Sequence, residues 1–130
     1  MDIREFLAGD RFAAEAGIEL IEVGDGTAKA RMEITPRHLN GGGVCQGGAI
    51  FTLADLAFAA ATNSRGTLTV SVQSNINLFR SEKEGFLYAE AREVFDHRRI
   101  SNCEVRITNA SGDLVATFTG TGYRKGVQIF

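Results

Sequence analysis

The chain has 130 residues, of which 44% are hydrophobic and 23% charged, and its formal net charge is -2. That length suits a single domain over residues 1–130, which can fold without a disulfide scaffold or a structural metal. The nearly balanced charge and the dispersed basic residues argue against nucleic acid as a partner. The two cysteines, Cys45 and Cys103, belong to no CxxC pair and no Cys/His cluster, so no metal site is predicted and a reducing compartment suits them.

The first segments of the chain predict a helix followed by a hairpin. Charges stand where a signal peptide needs its apolar stretch, so we expect a cytoplasmic protein. Residues 2–16 carry apolar side chains near one helical face, and Gly17 follows them, which predicts one short amphipathic helix. Residues 18–34 alternate apolar and polar side chains on either side of a Gly-Asp-Gly turn, which predicts a β-hairpin.

A long apolar helix is predicted over residues 48–63, after Pro36 and a glycine-rich loop. The helix is apolar nearly all round, as expected of one buried on most sides, yet Asp55 interrupts it well before membrane-spanning length, so no membrane association is expected. Its polar residues Thr52, Asp55 and Thr62 share one stripe. Asp55 must be paired, open to water or neutral, because an isolated buried carboxylate is costly. A solvent-facing stripe and a functional carboxylate are both consistent with this pattern.

The second half of the chain predicts an antiparallel meander of short strands. The candidate strands cover residues 69–79, 85–95, 100–108 and 114–123, with a turn at 109–113. Together with the hairpin they give an α+β fold, in which an antiparallel sheet of five to six strands surrounds one long helix. The glycine run does not continue into the Lys-Ser/Thr of a phosphate-binding loop, so nucleotide hydrolysis is excluded.

The stretch HLNGGGVCQGGAIFTLADLAF resembles the signature of the hotdog-fold acyl-CoA thioesterases, in the branch of the phenylacetic acid degradation thioesterase. That branch shows a loop Asn, a His-Gly-Gly at the start of the central helix and an Asp eight residues after the first Gly. The corresponding residues here are Asn40, Gln46-Gly47-Gly48 and Asp55. The likeness continues through TNSRG, VSVQSNINLFR and GTGYRKG. The resemblance implies a hotdog fold.

The resemblance also implies catalytic roles. Asp55 would activate water or attack a thioester carbonyl. The amide of Gly47, at a helix N-terminus, would form the oxyanion hole, and Gly48 would contact the substrate. Asn40 would contact the substrate or the catalytic water, or else form an Asx turn. Gln46 replaces the histidine of many members, so it can form hydrogen bonds but cannot carry a proton near neutral pH.

By the same resemblance, the sites lie between subunits of a homodimer or homotetramer. Gly47 and Asp55 would come from one chain and Ser71 from its partner, although a merely polar strand face explains Ser71 equally well. Coenzyme A belongs to the substrate, and no separate cofactor is implied. Cys45 could act as a nucleophile only with a base beside it, and a packed thiol is the alternative. The candidate contacts for the coenzyme A phosphates are Arg98, Arg99, Arg124 and Lys125, which could instead be solvated charges.

These residues predict an acyl-CoA thioesterase that releases a free acid and coenzyme A from an aromatic or medium-chain acyl-CoA. The alternative is a non-catalytic acyl-CoA binding or sensing protein, which Gln46 favours. A hotdog hydratase is a third hypothesis, but its histidine-containing signature is absent from the sequence.

Overall fold

Six strands and one long helix make up most of the chain. The computed structural model describes residues 1–130. In chain order the elements are α1 (Ile3–Ala8), α2 (Arg11–Glu15), β1 (Ile18–Gly24), β2 (Thr27–Ile34), a 3₁₀ turn (Pro36–His38), α3 (Gly47–Thr62), β3 (Thr67–Leu78), β4 (Gly85–Asp96), β5 (Ile100–Asn109) and β6 (Leu114–Gln128).

The strands form one antiparallel sheet in the order β1-β2-β4-β5-β6-β3. The predicted α+β architecture, with a sheet around one central helix, is confirmed, and so is the hairpin of β1 and β2. The predicted meander holds for β4, β5 and β6 but is wrong for β3, which pairs with β6 and not with β4. The hydroxyl of Thr69 donates to the carbonyl of Thr62 and ties the start of β3 to the end of α3.

The N-terminal segment forms two short helices where the sequence predicted one. The break falls at Gly9 and Asp10. Asp10 caps the second helix, because its Oδ1 accepts a hydrogen bond of 3.0 Å from the amide of Ala13. Leu7 from α1 and Ala13 from α2 are buried, so both helices still cover the hydrophobic core.

Helix α3 is the centre of the core. Its alanines Ala54, Ala57, Ala60 and Ala61 are fully buried and let the sheet wrap closely around it. Phe58 packs against β6, where a Cβ on Gly120 would lie only 2.7 Å from the Phe58 ring. Gly120, the first glycine of the GTG stretch, is therefore required by the packing of α3 against the sheet. None of the helices has the length and apolar character needed to span a bilayer.

One edge of the sheet is long and apolar. Strand β3 has twelve residues and pairs only with β6, so its other side has no strand beside it. Its exposed residues include Val70, Val72 and Leu78, and Phe79 follows directly; Val72 is 61% exposed. Unprotected edges of this kind invite pairing with another strand.

Candidate active site

The start of α3 presents free backbone donors. Gln46 is the N-cap residue, and its own amide donates to the carbonyl of His38 at 2.8 Å. The Gln46 side chain caps nothing, and the amides of Gly47 and Gly48 donate to no acceptor in the chain. These N–H groups lie at the positive end of a sixteen-residue helix. They can therefore bind a carbonyl oxygen that gains negative charge.

The glycines at this turn make room for a side chain. A Cβ on Gly48 would lie 2.6 Å from Oε1 of Gln46, so the glutamine folds over the first turn of the helix. A Cβ on Gly47 would lie 2.9 Å from a methyl group of Leu78 on β3. Gln46 itself is exposed, which leaves its amide group able to reach a bound molecule.

The loop before α3 is organised by Asn40. Its Oδ1 accepts from the amides of Gly42 at 2.9 Å and Val44 at 3.3 Å. This is the Asx-turn alternative of the sequence analysis. The Nδ2 group forms no hydrogen bond within the chain, so Asn40 keeps a donor for a ligand while its oxygen shapes the loop.

Asp55 is half-buried in the middle of α3. Its carboxylate accepts no hydrogen bond from the chain. Burial raises the pKa of Asp55, and the negative charge of Asp10 raises the pKa further. An aspartate with a raised pKa and a free carboxylate has the properties of a general base. The alternative of a solvent-facing stripe fits Asp55 and Thr52, which are partly exposed, but is wrong for Thr62, which is buried and donates to the carbonyl of Phe58.

Gly47 and Asp55 are far apart within one chain. They lie eight residues apart in one continuous helix, which separates them by about 12 Å along the axis. A carboxylate side chain extends only a fraction of that distance. The prediction that Gly47 and Asp55 of the same chain act on one carbonyl is therefore wrong on geometric grounds.

A cavity of about 400 Å³ lies beside the first turn of α3. Its apolar wall consists of Phe12, Ala16, Leu39 and Ala49. The remaining lining residues are Glu15, Arg37, His38, Gln46, Gly48 and Thr52. A volume of this size suits a small-molecule group. Since Gln46 and Gly48 belong to its lining, the cavity adjoins the free amides at the start of the helix.

Ser71 lies on the edge strand β3 and is exposed. Its Oγ is 2.9 Å from Oγ of Ser74. Thr69 contacts Thr62 at the end of α3, and Leu78 lies beside Gly47 at its start. Counting from Thr69, a strand rise of about 3.3 Å per residue puts Ser71 level with the helix turn after Asp55. Ser71 is therefore much closer to Asp55 than to Gly47 of the same chain.

A second cavity of about 440 Å³, here called the polar cavity because no hydrophobic residue lines it, lies at the other end of α3. It is lined by Thr62, Arg65, Thr67, Asp96, Arg98, Arg99, Arg124 and Gly126. The helix length places it about 22 Å from Gly47 of the same chain. Three of the four predicted phosphate contacts line this cavity, and Lys125 is exposed but outside the lining.

These arginines differ in what they already bind. Arg124 is only 11% exposed in its side chain and forms ion pairs with Glu93 at 2.8 Å and Asp96 at 2.6 Å. Glu93 also pairs with Arg65 at 2.6 Å. Arg98 and Arg99 are exposed and have no acidic partner, so they remain free for an anion. Sequence reasoning missed Arg65 and Glu93, because their partners lie about 30 residues away and no motif signals them.

The cysteines are poorly suited to nucleophilic chemistry. Cys45 is buried, and burial raises the pKa of its thiol. Burial likewise raises the pKa of Cys103 to about 12. Cys45 is therefore the packed thiol that the sequence analysis gave as the alternative. The chain holds no group of three or more His, Cys, Asp or Glu side chains that could bind a metal ion.

Sequence comparisons agree with this architecture. The family model of the thioesterase superfamily matches residues 42–116. The acyl-coenzyme A thioesterase PaaI of Escherichia coli is 35% identical over 121 residues, which cover 92% of this chain and 86% of that protein. A protein of Archaeoglobus fulgidus is 40% identical over 106 residues, which cover 81% of this chain and 69% of that protein.

Solved structures lead to the same family. The structure of E. coli PaaI, from the phenylacetic acid degradation operon, matches with a TM-score of 0.95 at 32% identity and covers 99% of this chain and 94% of that one. A hypothetical thioesterase of Streptococcus pneumoniae, solved with coenzyme A, matches with a TM-score of 0.88 at 27% identity, over 95% and 98% of the two chains. The chain therefore belongs to the thioesterase superfamily, has the hotdog fold and is a thioester hydrolase.

Proposed function

We propose that the protein hydrolyses an aromatic or medium-chain acyl-CoA to the free acid and coenzyme A. Asp55 activates a water molecule or attacks the thioester carbonyl, and the amide of Gly47 stabilises the oxyanion. Two relatives support an acyl-CoA as the substrate: the E. coli protein is named an acyl-coenzyme A thioesterase, and the S. pneumoniae structure contains coenzyme A.

One observation carries the proposal. Asp55 is a half-buried carboxylate without a hydrogen-bond partner, and the same helix begins with amides that have no acceptor. The carboxylate is costly to ionise where it lies, and the carboxylate and the amides both become useful when a thioester and a water molecule occupy the site.

Each site combines two chains of a homodimer in this proposal. The edge strand β3 pairs with β3 of a second copy about a twofold axis, which places the two α3 helices side by side in opposite directions. With the axis near Phe51, midway between Gly47 and Asp55, Gly47 of one chain lies beside Asp55 of its partner. Asn40 and Gln46 then act with Gly47, whereas Ser71 acts with Asp55. The same sites form in a dimer or in a tetramer of two dimers.

The polar cavity receives the phosphates of coenzyme A in this arrangement. Because the two helices run in opposite directions, the end of α3 in one chain lies toward the start of α3 in the other. Arg98 and Arg99 are exposed cations without acidic partners, so they bind the phosphate oxygens. Arg124 stabilises the wall of this cavity through its ion pairs with Glu93 and Asp96, and Lys125 adds positive charge outside the cavity lining.

Thiol release from a panel of acyl-CoA esters tests the proposal. We expect hydrolysis of phenylacetyl-CoA and octanoyl-CoA by the wild-type protein, and a loss of at least about 100-fold in Asp55→Ala. The two protein thiols are buried and add little background to a thiol reagent. Glu90→Ala removes an exposed carboxylate on β4 that lines neither cavity, so it is the control and should keep most of the activity.

The panel also separates the enzyme from an acyl-CoA sensor. Binding of acyl-CoA measured by calorimetry, with no thiol released by the wild-type protein, would contradict the proposal and support the sensor. Full activity in a folded Asp55→Ala variant would exclude Asp55 from the chemistry.

A further inference from the structure

His38 has no part in the proposed chemistry, yet it is the most completely bonded polar side chain near the start of α3. It is 6% exposed. Its Nε2 lies 2.7 Å from the carbonyl oxygen of Ala16, the C-cap residue of α2. Its Nδ1 lies 2.8 Å from the amide nitrogen of Thr35 and 3.0 Å from the hydroxyl oxygen of the same residue. A carbonyl only accepts and a backbone N–H only donates, so the ring is neutral and carries its proton on Nε2.

The backbone of His38 reaches a third segment. Its carbonyl accepts the amide hydrogen of Gln46 at 2.8 Å, directly before α3. One residue thus joins the end of α2 to the start of α3. The cavity of about 400 Å³ lies between those two elements, with Phe12 and Ala16 on one side and Gly48 and Ala49 on the other.

The charged side chains near the imidazole ring of His38 form no bond with it. Glu15 of α2 and Arg37 of the 3₁₀ turn line the same cavity, and neither forms a hydrogen bond or an ion pair with His38. The ring is held by neutral groups, which are the Ala16 carbonyl at Nε2 and the backbone amide and hydroxyl of Thr35 at Nδ1. Its orientation therefore depends on the geometry of the two segments that it joins.

We propose that His38 is a positioning residue that determines acyl specificity, because its Nε2–H bond to Ala16 sets the width of the cavity between α2 and α3. This inference rests on the proposed function, since it places the acyl group of the thioester in that cavity. His38 itself touches neither the reacting carbonyl nor the water. An acetyl group is too short to fill the cavity, whereas a phenylacetyl group needs both of its walls.

Two substitutions separate the bonds of the ring. In His38→Asn, the shorter amide keeps an acceptor for Thr35 but cannot reach Ala16. In His38→Gln, the longer amide places an N–H near the position of Nε2 and keeps the bond to Ala16. His97→Asn, at an exposed site in the β4–β5 turn, is the matched control.

The ratio of kcat/KM for phenylacetyl-CoA to kcat/KM for acetyl-CoA is the decisive measurement. We expect this ratio to fall about tenfold in His38→Asn, and to stay within about threefold of wild type in His38→Gln and His97→Asn. An equal loss for both substrates in His38→Asn would indicate a merely structural role and overturn the proposal. A fall of about tenfold in this ratio in a folded His38→Gln variant would also overturn the proposal. This second test applies even if the His38→Asn variant does not fold.

Nitrogen NMR of the imidazole rings tests the geometry without relying on turnover. The chain has two histidines, so the His97→Asn variant assigns the signals of His38. We expect a neutral ring with its proton on Nε2 at pH 7, and a charged ring or a proton on Nδ1 would overturn the proposal. If the wild-type protein releases no thiol from any acyl-CoA while this tautomer is present, the proposed function fails and the His38–Ala16 bond stands.

Discussion

Asp55 lowers the stability of the folded chain but has the properties of a general base. Its carboxylate is half-buried and unpaired, and both burial and the charge of Asp10 favour the protonated form. A group that is costly to ionise in the folded state accepts a proton readily from water. This opposition between stability and function is common at active sites.

Asp10 should affect the pH dependence of hydrolysis. Its negative charge is one of the two causes that raise the pKa of Asp55, so Asp10→Asn lowers that pKa. A general base must be ionised, so the acid limb of kcat/KM against pH should move to lower pH in Asp10→Asn. Asp2→Asn is the matched control, because Asp2 caps α1 as Asp10 caps α2 and asparagine caps helices equally well. An unmoved limb in Asp10→Asn would exclude this coupling.

Asp55→Asn should make the folded protein more stable at neutral pH. A carboxyl whose pKa is raised by folding binds its proton more tightly in the folded state. Its contribution to the free energy of unfolding is therefore most favourable below the unfolded pKa and is lost as the pH rises through the folded pKa. Thermal unfolding at pH 7 should show a Tm a few degrees above wild type, and the difference should shrink toward about pH 4. A lower Tm for Asp55→Asn at pH 7 would mean that the carboxylate has a stabilising partner in the assembly.

At the scale of elements, the N-terminus of α3 allows the role of a single backbone amide, that of Gly47, to be tested by substitution. Gly47 is the first helical residue, where proline fits well, and Gln46 before it already has the extended conformation that proline requires. Gly47→Pro therefore removes the amide hydrogen and keeps the helix. Gly47→Ala keeps the amide hydrogen and introduces the same Cβ, which both variants place close to Leu78.

The two variants should differ strongly in turnover. Gly47→Pro should lower kcat by about 100-fold to 1,000-fold, because one oxyanion donor is lost. Gly47→Ala should retain most of the wild-type kcat. Steady-state kinetics with thermal unfolding as a folding check provides the measurement, and similar losses in both variants would show that crowding against Leu78, and not the amide, is responsible.

At the scale of the whole molecule, shared sites predict complementation between inactive chains. Homodimers of Asp55→Ala and homodimers of Gly47→Pro should each be inactive. In a mixed dimer, one site receives both substitutions and the other receives none. Unfolding and refolding the two variants together at equal concentrations should restore about a quarter of the wild-type rate, because half of the dimers then contain one intact site.

Asp55→Ala mixed with Ser71→Ala is the control for this experiment. Ser71 and Asp55 serve the same site from the same chain, so both sites of every mixed dimer carry one substitution and no activity should return. Restored activity in this pair, with none in the Asp55→Ala and Gly47→Pro mixture, would reverse the assignment of residues to chains.

Local patterns in the sequence determined the hairpin, the buried helix and the strands of the sheet, because these depend on side-chain periodicity and on glycine at turns. The motif around Asn40, Gln46 and Gly47 also indicated where the free amides lie. The tertiary structure alone decided that β3 pairs with β6, that Asp10 lies near Asp55 and that His38 reaches Ala16. These contacts join segments that are distant in sequence. A local sequence pattern does not specify which distant residue a strand or a side chain will contact. The axial distance between Gly47 and Asp55 follows from the continuity of α3, and it is why the Gly47 and Asp55 of one site are assigned to different chains.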